Sequence, residues 1–340
     1  MKEIKFGIAG YGKMGKIREE SILNYSNAKL VSIYEISDYF CEDKNLILCN
    51  SFNELLKTNI DAVIVSTYVV VAADYVVMAL NAGKHVFCEK PPSMTAKDMQ
   101  KVIEAEDKAG KVLKYGFNHR FHYSAMEAKK VIDSNSLGRM LWMRGVYGKA
   151  GSIDFNDNWR NYKKYSGGGI LFDQGIHMID LFRYFSNNEF ECLSAYLTTS
   201  FWDIECEDNA FITLKSKNNI VATLHSSATQ WRHKFSLEME FEDGYINLEG
   251  ILSSTRSYTP ETLTIGRRES EDMTFAMGKP KECVTYYEYD DSWDLELKEF
   301  INAINNSCII SNGTSNDALE VMKLTDSIYD YQTPESLAKF

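Results

Sequence analysis

The chain is predicted to fold as two domains: an α/β N-terminal domain built on a doubly wound parallel sheet, then an α+β domain with a largely antiparallel, open sheet. Three observations predict this. Glycines 10, 12 and 15 form Gly10-Tyr11-Gly12-Lys13-Met14-Gly15 directly after the apolar run Ile4 to Ala9. Short β-branched runs then alternate with helix-length segments as far as Tyr115. Beyond about residue 120 the alternation gives way to consecutive strand-like runs joined by short turns. Domain boundaries of 1–120 and 121–340 follow, and a chain of 340 residues lets each part bury its own core.

In the first domain, strand Ile4 to Ala9 is followed by helix Lys13 to Tyr25 and by strand Lys29 to Tyr34, which closes on Glu35. Gly10 lets the chain turn sharply, Gly12 lets backbone approach a pyrophosphate, and Gly15 lets the helix lie close on the sheet. The N–H groups of the helix's first turn, at Lys13 and Met14, attract phosphates. In this setting the glycines read as a Rossmann dinucleotide-binding signature. Glu35 is placed to accept hydrogen bonds from adenosine ribose hydroxyls and to repel a 2′-phosphate, and no arginine follows in Ile36-Ser37-Asp38. NAD is therefore expected over NADP. Strand Asp61 to Ser66, helix Ala72 to Ala82, strand His85 to Cys88, helix Thr95 to Ala109 and strand Lys111 to Tyr115 complete the alternation. Ligands of such sheets bind beyond the carboxyl ends of the strands, so Gly10 to Gly15, Ser66-Thr67, Glu89-Lys90 and Gly116 to Arg120, Asn118 included, are expected to converge on one crevice.

In the second domain, helix His122 to Ser134 leads into strands Met140 to Tyr147, Leu193 to Phe201, Asn209 to Leu214, Ile220 to Ser227, Phe235 to Phe241 and Tyr245 to Leu248. Helix Gly169 to Phe185 is inserted between the first two. Arg256 to Pro280 reads as a loop excursion at the sheet rim. Helices Trp293 to Asn305 and Ser315 to Tyr331 are expected to pack back toward the first domain. Apolar residues at alternating positions (Leu141, Met143, Phe211, Leu224, Phe235, Leu237) imply one sheet face on helices and the other under a second subunit, hence a homodimer or homotetramer.

A formal charge of −11 disfavours a nucleic-acid surface. The chain runs from MKEIKFGIAG straight into its first strand, and no apolar stretch approaches a bilayer span, which predicts a cytoplasmic protein without membrane partner. Seven cysteines (41, 49, 88, 192, 206, 283, 308) show no CxxC pair, so neither a disulfide framework nor a structural zinc site is expected.

Two motifs carry chemistry. Glu89-Lys90-Pro91-Pro92 ends the fourth strand, where proline stops the strand and restricts Lys90 to extended geometry; a cis bond at Pro91 is left open. The lysine reads either as a surface residue or as a group facing the nicotinamide end of a bound cofactor. Ser166-Gly167-Gly168-Gly169-Ile170-Leu171-Phe172-Asp173-Gln174-Gly175-Ile176-His177 places Asp173 and His177 four apart on one helix face. The glycines leave backbone accessible and bring the helix's positive end near the site. A carboxylate one turn from an imidazole orients it and favours its protonated form. A surface ion pair and half of a metal site share this spacing, but further metal ligands are not evident and no metal is expected.

Together with VIVST, AGKHVFCEKPPSMT, GFNHRF, LGRM, SGGGILFDQGIHMIDLFRYF, LKEFINAI and SNDALEVMKLTDSIY, these blocks resemble the Gfo/Idh/MocA family of NAD(P)-dependent oxidoreductases over most of the chain. The resemblance implies that Lys90, Asp173 and His177 form the catalytic group. One block departs: where the family has Thr-Pro-Asn-x-x-His, this chain has Thr67-Tyr68-Val69-Val70-Val71-Ala72, and the family's Arg-Phe-x-Pro is Arg120-Phe121-His122-Tyr123. Hydride transfer from a secondary alcohol needs a base for the hydroxyl proton and a donor to the reacting oxygen. His177 and Lys90 fill these roles in either order, with Asp173 orienting them. Asn158 to Tyr165, with Trp159, Arg160 and Tyr162, mixes aromatic faces and donors suited to a polyol ring, and Arg120 at the crevice mouth is a further substrate contact. Sugars, cyclitols and nucleotide-linked sugars all fit. The resemblance also admits an NAD-dependent glycosidase and a non-catalytic dinucleotide-binding regulator.

Overall fold

The computed structural model describes residues 2–37, 46–151, 155–156, 158–268 and 281–331. Asp38 and Cys41 lie outside the described residues, as does 269–280. Along the chain run β1 (Ile4–Ala9), α1 (Lys13–Leu23), β2 (Ala28–Tyr34), β3 (Ile47–Cys49), α2 (Phe52–Lys57), β4 (Ala62–Val65), α3 (Val69–Asn81), β5 (His85–Glu89), α4 (Ala96–Ala109), β6 (Leu113–Gly116) and a 3-10 turn (Asn118–Phe121). There follow α5 (Tyr123–Asp133), β7 (Met140–Ala150), a 3-10 turn (Trp159–Asn161), α6 (Lys163–Ser166), a π-helical turn (Leu171–Gly175) and α7 (Ile176–Ser186). Strands β8 (Phe190–Thr198), β9 (Asn209–Ser216), β10 (Val221–Ser227), β11 (Thr229–Phe241), β12 (Gly244–Glu249), β13 (Glu261–Arg267) and β14 (Glu282–Tyr287) precede α8 (Ser292–Asn306) and α9 (Ser315–Tyr331). Contacts divide the chain into two compact units, Met1–Asn118 with Lys164–Gly167 and Asp291–Lys323, and His119–Lys163 with Gly168–Asp290 and Leu324–Phe340.

The first unit holds a six-stranded sheet of order β3-β2-β1-β4-β5-β6, parallel throughout. Its central strands are apolar runs because helices cover both faces, and every residue of β4 is buried. Ile4, Phe6, Ile8, Ile33, Ile64 and Phe87 share one core with Leu297, Phe300 and Ile301 of α8. The order reverses between β1 and β4, which sets Gly10 and Ser66 at the switch point where such sheets take ligands. Strand β3 and helix α2 were not expected from the sequence. They are too short for a periodic signal, and α2 is fixed locally: the Ser51 hydroxyl accepts from the Glu54 N–H at 3.2 Å, while the Glu54 carboxylate accepts from the Asn50 N–H at 2.8 Å.

Helix α1 turns Gly15, Arg18, Ser21 and Ile22 inward. Arg18 is wholly buried, donating from Nε to Glu89 Oε1 and from Nη2 to Glu296 Oε2, both at 2.6 Å, and from Nη1 to the Trp293 carbonyl at 3.3 Å. Its guanidinium lies 4.1 Å from the centroid of the Phe87 ring. One cation thus ties α1 to the end of β5 and to α8. Burial pushes the Glu296 carboxyl up to about 7, with Arg18 pulling the other way.

The second unit holds an eight-stranded sheet of order β14-β13-β12-β11-β7-β10-β9-β8. All neighbours are antiparallel except β7 and β10, which run parallel. Register puts Ala222 and Met239 beside Met143, and Leu224 and Leu237 beside Gly145, on a buried face. A Cβ at Gly145 would come within 2.6 Å of Met178 and 3.0 Å of Phe182, so glycine there lets α7 approach the sheet. The opposite face exposes Trp142, Tyr196, Phe211, Val221 and Tyr286. The expected loop from Arg256 to Pro280 is corrected in part: residues 261–267 form β13, paired on both sides, where Thr and Gly had obscured the alternation of Leu263 and Ile265. The helix expected over Gly169 to Phe185 opens instead with the π-helical turn.

Candidate functional site

In the first unit each glycine of the opening motif has its own geometric reason. Gly10 sits at φ +85°, and a Cβ there would lie 2.5 Å from the Ser66 carbonyl oxygen. A Cβ at Gly15 would lie 2.4 Å from the Gly10 oxygen, whereas nothing lies within 4 Å of one at Gly12. The Ser66 hydroxyl donates to the Gly10 carbonyl at 2.6 Å and fixes the turn. Helix α1 starts at Lys13 and Met14 with Gly12 as a cap that lends no side chain.

Glu35 faces this turn. Its Oε2 accepts the Tyr11 N–H at 2.5 Å, and its Oε1 accepts the N–H groups of Ile36 and Ser37 and the Ser37 hydroxyl. Although partial burial opposes it, these bonds hold the carboxyl below its ordinary range. Oε2, with one donor among the described residues, retains capacity for another. Open space before Gly12, an uncapped helix terminus and an ionised acid at the end of β2 suit the phosphates and ribose of a dinucleotide.

Glu89, expected at the cofactor, is buried and turned to Arg18, because that cation offers a stronger partner than solvent. Lys90 is half-buried, and its peptide bond to Pro91 is cis. The Thr67 hydroxyl donates to the Tyr68 carbonyl at 3.3 Å, and Asn118, buried, donates to the Ser292 hydroxyl at 3.4 Å. The departing block forms the start of α3, burying Val69 and Ala72 and setting the Tyr68 ring 5.6 Å from that of Tyr165.

In the second unit, the N–H groups of Gly169 and Leu171 are not left accessible: both donate to Oε1 of buried Glu207, at 2.9 and 3.1 Å, and the Tyr329 hydroxyl joins them at 2.8 Å. A Cβ at Gly168 or Gly169 would collide with Tyr329 or with the Glu207 backbone. The glycines therefore serve close packing. Burial raises the Glu207 carboxyl, against those hydrogen bonds.

Asp173 lies in the π-helical turn, the kind of irregularity that re-aims side chains at working sites. Its Oδ2 accepts from Lys149 Nζ at 2.5 Å, and Arg160 Nε is 3.4 Å from Oδ1. Arg160 also covers the Trp159 ring at 4.4 Å, and Tyr162 is exposed. His177 is buried on α7, stacked on His119 with ring centroids 3.7 Å apart. Arg120, expected at the substrate, is instead buried in a two-pronged pair with Asp180, at 2.8 and 2.5 Å, which occupies its fork inside the fold.

Lys149 and Tyr147 were not among the expected site residues, whereas His119 falls within the expected Gly116 to Arg120 stretch. Period-two spacing along β7 from Met143 through Gly145 and Tyr147 does carry a signal for Lys149. Among the described residues no group of three or more His, Cys, Asp and Glu is placed to hold a metal ion, and no helix is long and apolar enough to cross a membrane.

Comparison with known proteins adds to this geometry. A family model described as an oxidoreductase family with an NAD-binding Rossmann fold matches residues 4–117, and one described as a GFO/IDH/MocA C-terminal domain matches residues 125–247. Inositol 2-dehydrogenase of Salmonella typhimurium is 25% identical over 317 residues, covering 89% of this chain and 86% of its own. Myo-inositol 2-dehydrogenase of Thermotoga maritima is 27% identical over 312 residues, covering 88% of each. The solved structure of levoglucosan dehydrogenase in complex with NADH and levoglucosan matches with a TM-score of 0.84 at 21% identity, covering 97% of each chain.

Proposed function

The chain belongs to the Gfo/Idh/MocA oxidoreductase family, with its NAD-binding Rossmann fold, and from that premise we propose that it transfers a hydride between NAD and a secondary alcohol or ketone of a cyclitol or sugar. The open, uncapped glycine turn facing Glu35 supports this most directly, and relatives named for inositol suggest the substrate class. Bound nicotinamide would supply or accept the hydride. Gly10, Gly12, Lys13, Met14, Gly15, Glu35, Ser66, Thr67 and Asn118 hold it in the first unit. His177 exchanges the hydroxyl proton, and Lys90 hydrogen-bonds the reacting oxygen. Asp173 orients the group, itself held by Lys149. Trp159, Arg160 and Tyr162 meet the hydroxyls of the substrate. The test is a screen of cyclitols, sugars and sugar nucleotides for NADH formation. Release of an aglycone without net NADH would favour a glycosidase, and NAD binding with no turnover of any of them would favour a regulator.

We also propose NAD as the preferred cofactor. Charge repulsion between Glu35 and a 2′-phosphate is worth about 1–3 kcal/mol at an effective dielectric near 20. Glu35→Gln keeps an acceptor for the Tyr11 N–H and removes the charge, so the ratio of kcat/KM with NAD to that with NADP is expected to fall by about tenfold or more. An NADP preference in the unaltered protein would overturn this.

The enzyme is proposed to work in the cytoplasm as a homodimer or homotetramer, with a second copy on the sheet face that exposes Trp142, Tyr196, Phe211 and Tyr286. Sedimentation at micromolar concentration is expected to give a dimer or larger, and Phe211→Glu to dissociate it. A monomeric parent protein would contradict the assignment.

A further inference from the structure

We propose that the first unit carries a second ligand site, at the amino ends of β5 and β6, which takes a small aliphatic amino acid as its zwitterion. A cavity of about 390 Å³ opens there, within the range of roughly 300–1,000 Å³ common to small-molecule sites. Its lining includes His85 at the start of β5, Glu106 of α4, Lys111 and Leu113 at the start of β6, and Ile304 and Ile310 at and after the end of α8. Dinucleotides bind beyond the carboxyl ends of such strands, so this cavity lies at the other end of the sheet. The proposed hydride transfer uses none of these residues.

The strand edge offers backbone recognition. β6 is the last strand of its sheet, and its Leu113 pairs with Val86 while the Val86 N–H donates to the Val112 carbonyl at 2.9 Å. That phase of the parallel ladder turns the N–H and C=O of Leu113 away from β5. Two residues on, the equivalent N–H of Tyr115 is taken by the Gly313 carbonyl at 2.7 Å, where the segment between α8 and α9 covers the edge. At Leu113 the cavity stands in place of that cover. An outward N–H and C=O on one residue match the carboxylate and ammonium of an amino acid, as an added strand would.

The side chains supply both signs of charge. Burial, and then the Lys111 cation, push the His85 imidazole down to about 4, so the ring is neutral in the working range. Its Nδ1 accepts the Val112 N–H at 3.0 Å, which leaves the ring proton on Nε2 as a donor with no acceptor among the described residues. A cation beside a neutral donor suits a carboxylate. Glu106 brings the opposite charge: burial raises its carboxyl against a hydrogen bond from Ser315, and the neighbouring charge acting on it is that of Asp107. Helices α4 and α8 end at the cavity, on Gly110 and Ser307, and the negative ends of both favour an ammonium group. Ile304 and Ile310 provide an apolar wall for an aliphatic side chain. A simple anion would meet Lys111 and be repelled by Glu106, and a simple amine the reverse, whereas a zwitterion answers both.

The experiment is calorimetric titration of L-leucine into the full chain, with and without saturating NADH. Leucine is expected to bind about tenfold or more tightly than isocaproate, which lacks the ammonium, or isoamylamine, which lacks the carboxylate, the factor that one charge-assisted hydrogen bond supplies. Lys111→Met and Glu106→Gln are each expected to weaken leucine by about tenfold or more. Each also acts on a different preference: Lys111→Met narrows that over isoamylamine, and Glu106→Gln that over isocaproate, a split that general loosening of the fold does not produce. The ligand series in the parent protein decides the matter should a variant fail to fold. No binding of leucine, isoleucine or valine at concentrations up to about 10 mM overturns the proposal. Isocaproate or isoamylamine binding as tightly as leucine, displacement of NADH by leucine, or unchanged leucine affinity in both variants overturns it too. A chain that takes up leucine but turns over no alcohol would remove the oxidoreductase reading and leave this site standing.

Discussion

Replacing Arg18 by methionine is expected to destabilise the first unit by about 3–5 kcal/mol, the loss seen when one partner of a buried ion pair is removed. Methionine has similar length and helix propensity, so neither packing volume nor the helix itself accounts for the loss. What changes is charge: Glu89 and Glu296 would be left buried without the cation that each meets at 2.6 Å, and Phe87 and Trp293 would lose it from their faces. The same cluster makes stability depend on pH. Burial raises the Glu296 carboxyl to about 7, so the folded chain binds this proton more tightly than the unfolded one. The stabilisation is complete below the unfolded value near 4.5 and is lost as pH rises toward and through 7, amounting to at most about 3 kcal/mol. Urea denaturation, with hydrogen exchange reporting on α1, β5 and α8, is expected to show stability falling between pH 5 and 7.5 and the fall vanishing in Glu296→Gln. An Arg18→Met variant as resistant to urea as the parent would show that the cluster is structurally idle.

Arg18 also shows where sequence reading stops. In an eleven-residue helix an arginine reads as solvated, and only its spacing from Gly15 and Ile22 places it on the inner face. The glycine turn was legible because its constraints are local: a φ of +85° and a 2.4 Å approach each demand glycine, whatever lies elsewhere. Parallel strands were legible because burial on both faces writes them as apolar runs. Partners far apart in sequence were not. Glu207 reaches Gly169 across 38 positions, Glu89 reaches Arg18 across 71, and Arg120 reaches Asp180 across 60, and no periodicity encodes such pairings. The same holds for the parallel pairing of β7 with β10, neighbours in the sheet that have two other strands, β8 and β9, between them along the chain. The triple glycine was read as accessible backbone because its local pattern is identical to that of a ligand-binding turn, and only the identity of the filler, a buried carboxylate, distinguishes the two.

Lys90→Met and His177→Ala are each expected to lower kcat/KM by about 10²–10⁴-fold, the range for removal of a group that moves or stabilises a proton in the transition state. Cofactor affinity separates the two roles from binding: neither substitution touches the glycine turn or Glu35, so the dissociation constant for NADH, read by fluorescence, is expected to remain within a few-fold of the parent. The double variant carries the most information. Two groups that act on one reacting C–OH unit are strongly non-additive, so the double variant should be little worse than the poorer single one, whereas independent contributions would multiply. The pH profile then assigns the proton. If His177 is the base, its removal abolishes the acid limb of kcat/KM while Lys90→Met preserves it; the reverse pattern transfers that role to Lys90. Near-normal turnover in both single variants would sink the assignment of either residue to catalysis.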